Sequence, residues 1–236
     1  MKKLLLAMLA TLSGSSLTQA APCASDVVAS YTASGFTCEV GTLHFSNFFA
    51  NGSFFGSNSN RTASYPSEIV ITPVATASGG GFTLSNMNLS FTGGFSSTSG
   101  WLVFDVAALT GLITDASVEL GNYTISGDGY VSAGLSDYDG LIFGTSAFDY
   151  GSFVLSSAST SFPGVSGFRT FASATAGVGS FSGGAGFIDG YTMLLSISEN
   201  AIPEPGSALL LFSGLFALVA RRKFIDGATP LAPRYV

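Results

Sequence analysis

The sequence predicts an all-β protein: an antiparallel β-sandwich or jelly-roll-like ectodomain, framed by an N-terminal signal peptide and one C-terminal transmembrane helix. Three observations carry that prediction. Apolar residues recur at every second position in short runs, the period of a half-buried strand. Gly, Ser and Asn interrupt those runs, and the body offers no convincing amphipathic helix. The chain holds 21 Phe, most of them interleaved with small polar residues, and such aromatic content does not suit a disordered segment.

At the start of the chain, Met1-Lys2-Lys3 is a positive n-region, and Leu4 to Leu12 is an apolar stretch too short to span a bilayer. Thr18 and Ala20 put small residues at the −3 and −1 positions. Residues 1–20 therefore read as a secretory signal peptide, cleaved between Ala20 and Ala21. The body follows over 21–198. Cys23 and Cys38 both lie in the exported part, where an oxidising compartment is expected to pair them. Closing that loop would add roughly 3 kcal/mol in the chain-entropy model and staple the mature N-terminus to the body. A catalytic thiol would instead need the single histidine, His44, six residues past Cys38. Ser25 to Ser34 is the one stretch that reads as a helical turn.

Further along, Leu43 and Phe45 alternate with Thr42, His44 and Ser46. Ile69 and Ile71 alternate with Val70 and Thr72 before Pro73 ends the run. Phe82 and Leu84 give way to Met87, Leu89 and Phe91 on the other parity. Val118 and Leu120 give way likewise, past Gly121-Asn122, to Tyr123 and Ile125. A one-residue change of face is what a β-bulge produces. Asp189-Gly190, between Phe187-Ile188 and the run Tyr191 to Ile197, predicts a type I′ hairpin. The glycine-rich tracts 78–81, 93–100 and 182–186 are expected to be loops or edges. Phe and Val are expected to fill the space between sheets, and Ser and Thr to face water.

Charge narrows the partners. Between 21 and 202 the bases are Arg61 and Arg169 alone, against twelve acids, so that stretch carries −10 where the whole chain shows −6. Such a domain repels nucleic-acid phosphates and its own copies. The chemistry of sites is sparse. No Gly-x-Ser-x-Gly elbow stands in a strand–turn–helix setting, and a triad would have to use His44, so no catalytic residue is assigned. Asp137 and Asp139, within Asp137-Tyr138-Asp139-Gly140, form a weak calcium candidate that lacks the later acids of an EF-hand string. No metal or other cofactor is assigned. Glycoside hydrolysis needs two carboxylates across a cleft, and no pair among the twelve acids stands out. Trp101 and Tyr138 are the aromatics that could stack on a sugar if a flat face exposes them.

The C-terminal end is more explicit. Ile202 precedes Pro203 and Glu204 precedes Pro205, so both are pushed out of the helical region. The backbone there is extended and easily gripped by a processing enzyme. Residues 206–220 follow as an apolar helix of roughly 22 Å, short of the about 30 Å of a bilayer core. Arg221, Arg222 and Lys223 snorkel to close the gap and mark the cytoplasmic side. The layout is a linker over 199–202, a signal over 203–223 and a short cytoplasmic tail over 224–236.

At these residues the chain resembles the PEP-CTERM sorting signal of Gram-negative bacteria, which joins a Pro-Glu-Pro motif, a single apolar span and an Arg-rich end. The resemblance implies recognition of Pro203, Glu204 and Pro205 by an exosortase, a membrane enzyme that cleaves or transfers such proteins. It implies an inner-membrane intermediate, then delivery to the cell surface or beyond, in a setting rich in exopolysaccharide. Such tails usually stop at the basic cluster, whereas 224–236 follow here. Cys38 with Phe45-Ser46-Asn47-Phe48, Ile69 to Pro73, and Ile113 to Ser117 resemble ectodomains that carry this tail, and they bring no known activity. The expectation is a non-enzymatic surface or matrix protein, structural or adhesive in exopolysaccharide or biofilm. A carbohydrate-binding module in the same location is the alternative, and a secreted glycoside hydrolase the next.

Overall fold

The computed structural model describes residues 20–52, 61–93, 96–179 and 183–198. The chain divides after Ser198 into two units, Met1–Ser198 and Glu199–Val236, the second outside the described residues. The expected signal peptide (1–19 of it), the linker, the transmembrane helix and the tail lie outside them too. Among the described residues, no helix is long and apolar enough to cross a membrane.

The described body is nearly all strand. β1 (Asp26–Val27) leads into one helical turn, α1 (Val28–Tyr31), then β2 (Thr37–Val40), β3 (Leu43–Gly52) and β4 (Arg61–Thr62). There follow β5 (Val70–Thr76), β6 (Gly79–Ser85), β7 (Leu89–Gly93), β8 (Ser96–Ala108), β9 (Leu112–Leu120) and β10 (Tyr123–Gly127). The last seven are β11 (Gly129–Asp137), β12 (Gly144–Asp149), β13 (Val154–Leu155), β14 (Ser157–Val165), β15 (Gly167–Val178), β16 (Gly184–Ile188) and β17 (Tyr191–Ser198). They form a seven-stranded sheet, β13-β12-β11-β15-β8-β3-β2, a six-stranded sheet, β1-β5-β6-β17-β9-β14, and a four-stranded sheet, β10-β16-β7-β4. Every ladder between named strands is antiparallel.

Alternation decides what is buried. On β8, Leu102, Phe104 and Val106 point inward; on β17, Tyr191, Met193 and Leu195 do. The inward sets of the sheets merge into one core, the arrangement of a β-sandwich. Aromatic rings join the layers: Phe45 lies 4.6 Å from Phe82 and 5.7 Å from Phe104, centroid to centroid. Tyr31 of α1 closes one end, 5.1 Å from Phe48 and 5.8 Å from Phe82. The Cys23–Cys38 disulfide forms. It holds the first residues along β2, where the Cys23 N–H donates to the Glu39 carbonyl and the Glu39 N–H to the Ala21 carbonyl.

Three expectations fail, the last two for related reasons. The run from Ile69 does not end at Pro73: β5 continues through it to Thr76, with Pro73 opposite Phe82. Asp189-Gly190 makes no hairpin: β16 pairs with β7 and β10, while β17 pairs with β6 and β9. Neither residue takes the positive φ that a type I′ turn requires. Instead β6–β7, β9–β10 and β16–β17 turn one shared corner from the six-stranded to the four-stranded sheet. The ladder survives the bend, with the Met87 N–H donating to Asp189 O at 2.9 Å, the Asp189 N–H to Asn122 O at 2.8 Å and the Gly121 N–H to Gly190 O at 2.9 Å. The two parity shifts read as bulges are arms of this corner, since a strand that changes sheets must re-aim its apolar face. Nor are the described parts of the glycine-rich tracts mainly loops or edges. Gly79–Gly81, Ser96–Gly100 and Gly184–Gly186 lie in β6, β8 and β16, inside their sheets. A Cβ on Gly80 would come within 2.7 Å of Val40 Cγ1, and one on Gly184 within 2.6 Å of the Ser126 carbonyl. Close packing, not chain reversal, selects glycine at these positions.

Candidate functional site

The outer face of the seven-stranded sheet carries the site. Its side chains come from the odd positions of β8 and β15 and from the outward positions of β3. The ladders bring Asn51 opposite Trp101 and Phe49 opposite Val103, and set Phe171 opposite Val103 and Arg169 opposite Asp105. With Asn47 and Tyr138 these residues line a groove of about 400 Å³.

A break in β3 makes the groove. The ladder between β3 and β8 shifts between Ser46 and Phe49, and Asn47 sits at φ 53°. Asn tolerates the left-handed region better than most residues. The shift turns Phe48 into the core and leaves Phe49 outward, 56% exposed. Asn47 also acts as a donor: its Nδ2 gives a hydrogen bond to Asp105 Oδ2 at 2.7 Å. Arg169 Nε donates to Asp105 Oδ1 at 2.7 Å. The Arg169 hydrogen bond is the main reason the Asp105 carboxyl stays below the usual carboxylate range; burial opposes it and Asn47 adds to it. The same contact raises Arg169. The guanidinium lies 5.9 Å from the centre of the Tyr138 ring, within cation–π reach. Trp101 and Phe171 stand 6.1 Å apart, their planes 34° from parallel.

Tyr138 is held by its neighbour. Asp137 is buried, and its carboxylate accepts the backbone N–H groups of Leu141, Ile142 and Phe143 at 3.0, 2.9 and 2.9 Å. Burial pushes its pKa up, yet these N–H bonds prevail and the net direction is down. The Tyr138 N–H donates to the Arg169 carbonyl at 2.7 Å. Asp137 thus fixes the turn that stands Tyr138 over Arg169, while Asp139 is exposed on that turn. Among the described residues, no group of three or more His, Cys, Asp or Glu could hold a metal ion. His44 lies on the outer face of β3, opposite Glu39 and Ala107.

At the other end of the chain, residues 201–223 match the PEP-CTERM protein-sorting motif. The chain carries a PEP-CTERM sorting signal. That signal spans Pro203, Glu204, Pro205, Arg221, Arg222 and Lys223, all outside the described residues. No curated protein matches the chain. Among solved structures, one described as TmCBM61 in complex with beta-1,4-galactotriose is similar at 14% identity and a TM-score of 0.27, over 62% of this chain and 86% of that one. So slight a likeness has no bearing on the groove.

Sequence reasoning named Trp101 and Tyr138, and the structure brings both to one groove. It did not find Phe49, Phe171, Arg169 or Asn47. Parity alone would have put Trp101 and Asp105 on one face of β8, but their partners come from strands far away in sequence.

Proposed function

We propose that this PEP-CTERM protein is an exported, non-enzymatic surface or matrix protein whose ectodomain holds neutral polysaccharide. One observation carries the reading: four aromatic rings, two amides and one guanidinium converge on an outward groove whose lining contains no acid. A pyranose ring has apolar C–H faces and hydroxyl edges. Aromatic faces match the first, and amide and guanidinium groups match the second. The charge of −10 disfavours polyanions. Hydrolysis would need two carboxylates about 5 to 10 Å apart; the groove lining supplies none, and Asp105 beside it is engaged by Arg169 and Asn47. The groove therefore favours sugar binding over a purely structural role in the matrix. The C-terminal signal supplies the location: an exosortase gripping Pro203-Glu204-Pro205, with 206–220 holding the intermediate in the inner membrane.

Native electrophoresis through gels containing a neutral β-1,4-glucan or an anionic uronate polymer tests the ectodomain. Retardation in the neutral gel alone is the expected result; equal mobility in both overturns the reading. For sorting, changing Pro203, Glu204 and Pro205 together to Ala is expected to trap full-length protein in the inner membrane. Normal surface delivery of that variant would refute the assignment.

A further inference from the structure

We infer that the outer face of the seven-stranded sheet holds a second aromatic subsite, so that one neutral polysaccharide chain lies diagonally across it from Trp101 to Phe148. This deepens the groove reading and rests on it. The second cluster lies on β11, β12 and the turn after β12. Tyr130 and Tyr150 stack with centroids 5.1 Å apart and planes 25° from parallel. Phe148 lies 5.3 Å from Tyr150 and stacks on Phe153 at 5.6 Å. Tyr150 is 51% exposed and Phe153 66%, a large aromatic area to leave in water.

The ladders place the two clusters on one face. Trp101 stands opposite Ser173, Ser173 opposite Gly134, and Gly134 opposite Ser146. One step along, Ser99, Thr175, Ser132 and Phe148 stand opposite one another in turn. From Trp101 to Phe148 is thus three strand spacings, about 14 Å, and one two-residue step. Between them lie only Ser, Thr and Gly. That is a low, hydroxyl-lined floor between aromatic walls, long enough for several sugar rings. Tyr130 is set low in the same way: a Cβ on Gly177 would meet its Cζ at 2.6 Å, so its ring lies over that glycine.

The two ends also share a construction. Buried Asp137 caps the turn that presents Tyr138, and buried Asp149 accepts the Gly151 N–H at 2.7 Å in the turn that presents Tyr150. Both tyrosines are held outward, one at each side of the floor. An anionic polymer fits poorly, since Arg169 is the lone cation in the groove lining and is paired with Asp105. A neutral polyhydroxy chain meets rings at both ends and hydroxyls between.

The test uses the full-length protein in a detergent without a sugar headgroup, titrated calorimetrically with a disaccharide and an octasaccharide of β-1,4-glucan. The native protein is expected to bind the octasaccharide roughly tenfold or more tightly than the disaccharide. Tyr150→Ala with Phe153→Ala should abolish that ratio and leave disaccharide binding intact. Both rings are exposed, so the fold tolerates the change. Gly134→Leu, which raises the floor midway at the expense of rotating the Ser173 hydroxyl, should also abolish it. Trp101→Ala should weaken both ligands. If Trp101→Ala weakens binding while the ratio survives in the other two variants, the second subsite is wrong and the groove stands. If the native protein binds neither oligosaccharide, the groove reading fails and takes the subsite with it.

Discussion

The two large sheets have outer faces of the same origin and opposite character. Each is the solvent side of an alternating antiparallel ladder, and each is rich in Ser and Thr. On the six-stranded sheet, Ser117, Glu119, Ser157, Ser159 and Thr192 line a hollow of about 200 Å³ with no ring in it. Thr83 and Thr192 hydrogen-bond to each other at 2.8 Å there, so part of that surface satisfies itself. On the seven-stranded sheet the same small residues form only the floor, and rings rise at both ends. Alternation therefore creates a solvated face in both cases. What sets the seven-stranded face apart is its rings: Trp101, Tyr130, Phe148 and Phe171 stand out by strand alternation, Phe49 by the break in β3, and Tyr138 and Tyr150 by two aspartate-capped turns.

The largest effect is expected where this contrast is sharpest. Trp101→Ala should weaken retention on a neutral β-1,4-glucan roughly thirtyfold, the 2 kcal/mol of an aromatic hot spot. Leu194→Ala, in the hollow of the opposite face, should change retention by less than about twofold. Affinity electrophoresis of the two variants side by side decides it. Equal losses would mean that the faces are not functionally distinct.

Next is the support of the turns. Asp137→Asn keeps one carbonyl oxygen for the N–H groups of Ile142 and Phe143 but offers Leu141 an NH₂ instead of an acceptor. The expected cost is about 1.5 kcal/mol in thermal or urea unfolding. Asp115→Asn on the opposite face should cost only about 0.5 kcal/mol, because the Ser161 and Thr114 hydroxyls that serve it can rotate. The pH dependence follows the same lines. The Asp137 pKa is lowered in the folded state, so its contribution is full above the unfolded value near about 4 and is lost as pH falls through the folded one. Asp137→Asn should flatten the acid side of the stability curve. An unchanged acid slope would remove Asp137 from this role.

The comparison also shows what the sequence carries and what it withholds. Strand period, the disulfide between Cys23 and Cys38, and the sorting signal at 201–223 are local facts, encoded within a few residues or by compartment chemistry. Which strands share a sheet is not local. Phe187 to Ile197 reads as a hairpin because the strands are adjacent in sequence, yet three such pairs bend together round one corner. The groove is hidden for the same reason. Trp101 and Tyr138 are conspicuous as residue types, whereas Phe49 becomes a wall only because Asn47 adopts a positive φ and shifts the register. Glycine misleads most, since its turn propensity hides a packing role inside β6 and β16.

The smallest expected effect separates two aspartates whose pKa values are both lowered. Asp105 is held down chiefly by the Arg169 hydrogen bond, across a pair whose side chains are 51% and 32% exposed. Asp115 is held down by the hydroxyls of Ser161 and Thr114. At roughly 1 M salt the screening length shrinks to about 3 Å, which weakens attraction between exposed charges and leaves hydroxyl hydrogen bonds nearly untouched. Carboxyl carbon NMR titration at low and high salt should therefore show the Asp105 pKa rising toward the ordinary value while Asp115 stays in place. In stability terms the Arg169–Asp105 pair is worth under about 1 kcal/mol, so its importance lies in fixing the guanidinium beneath Tyr138. If both carboxyls moved equally with salt, Arg169 would not be the group that holds Asp105 ionised, and the polar anchor of the groove would have to be sought in Asn47 alone.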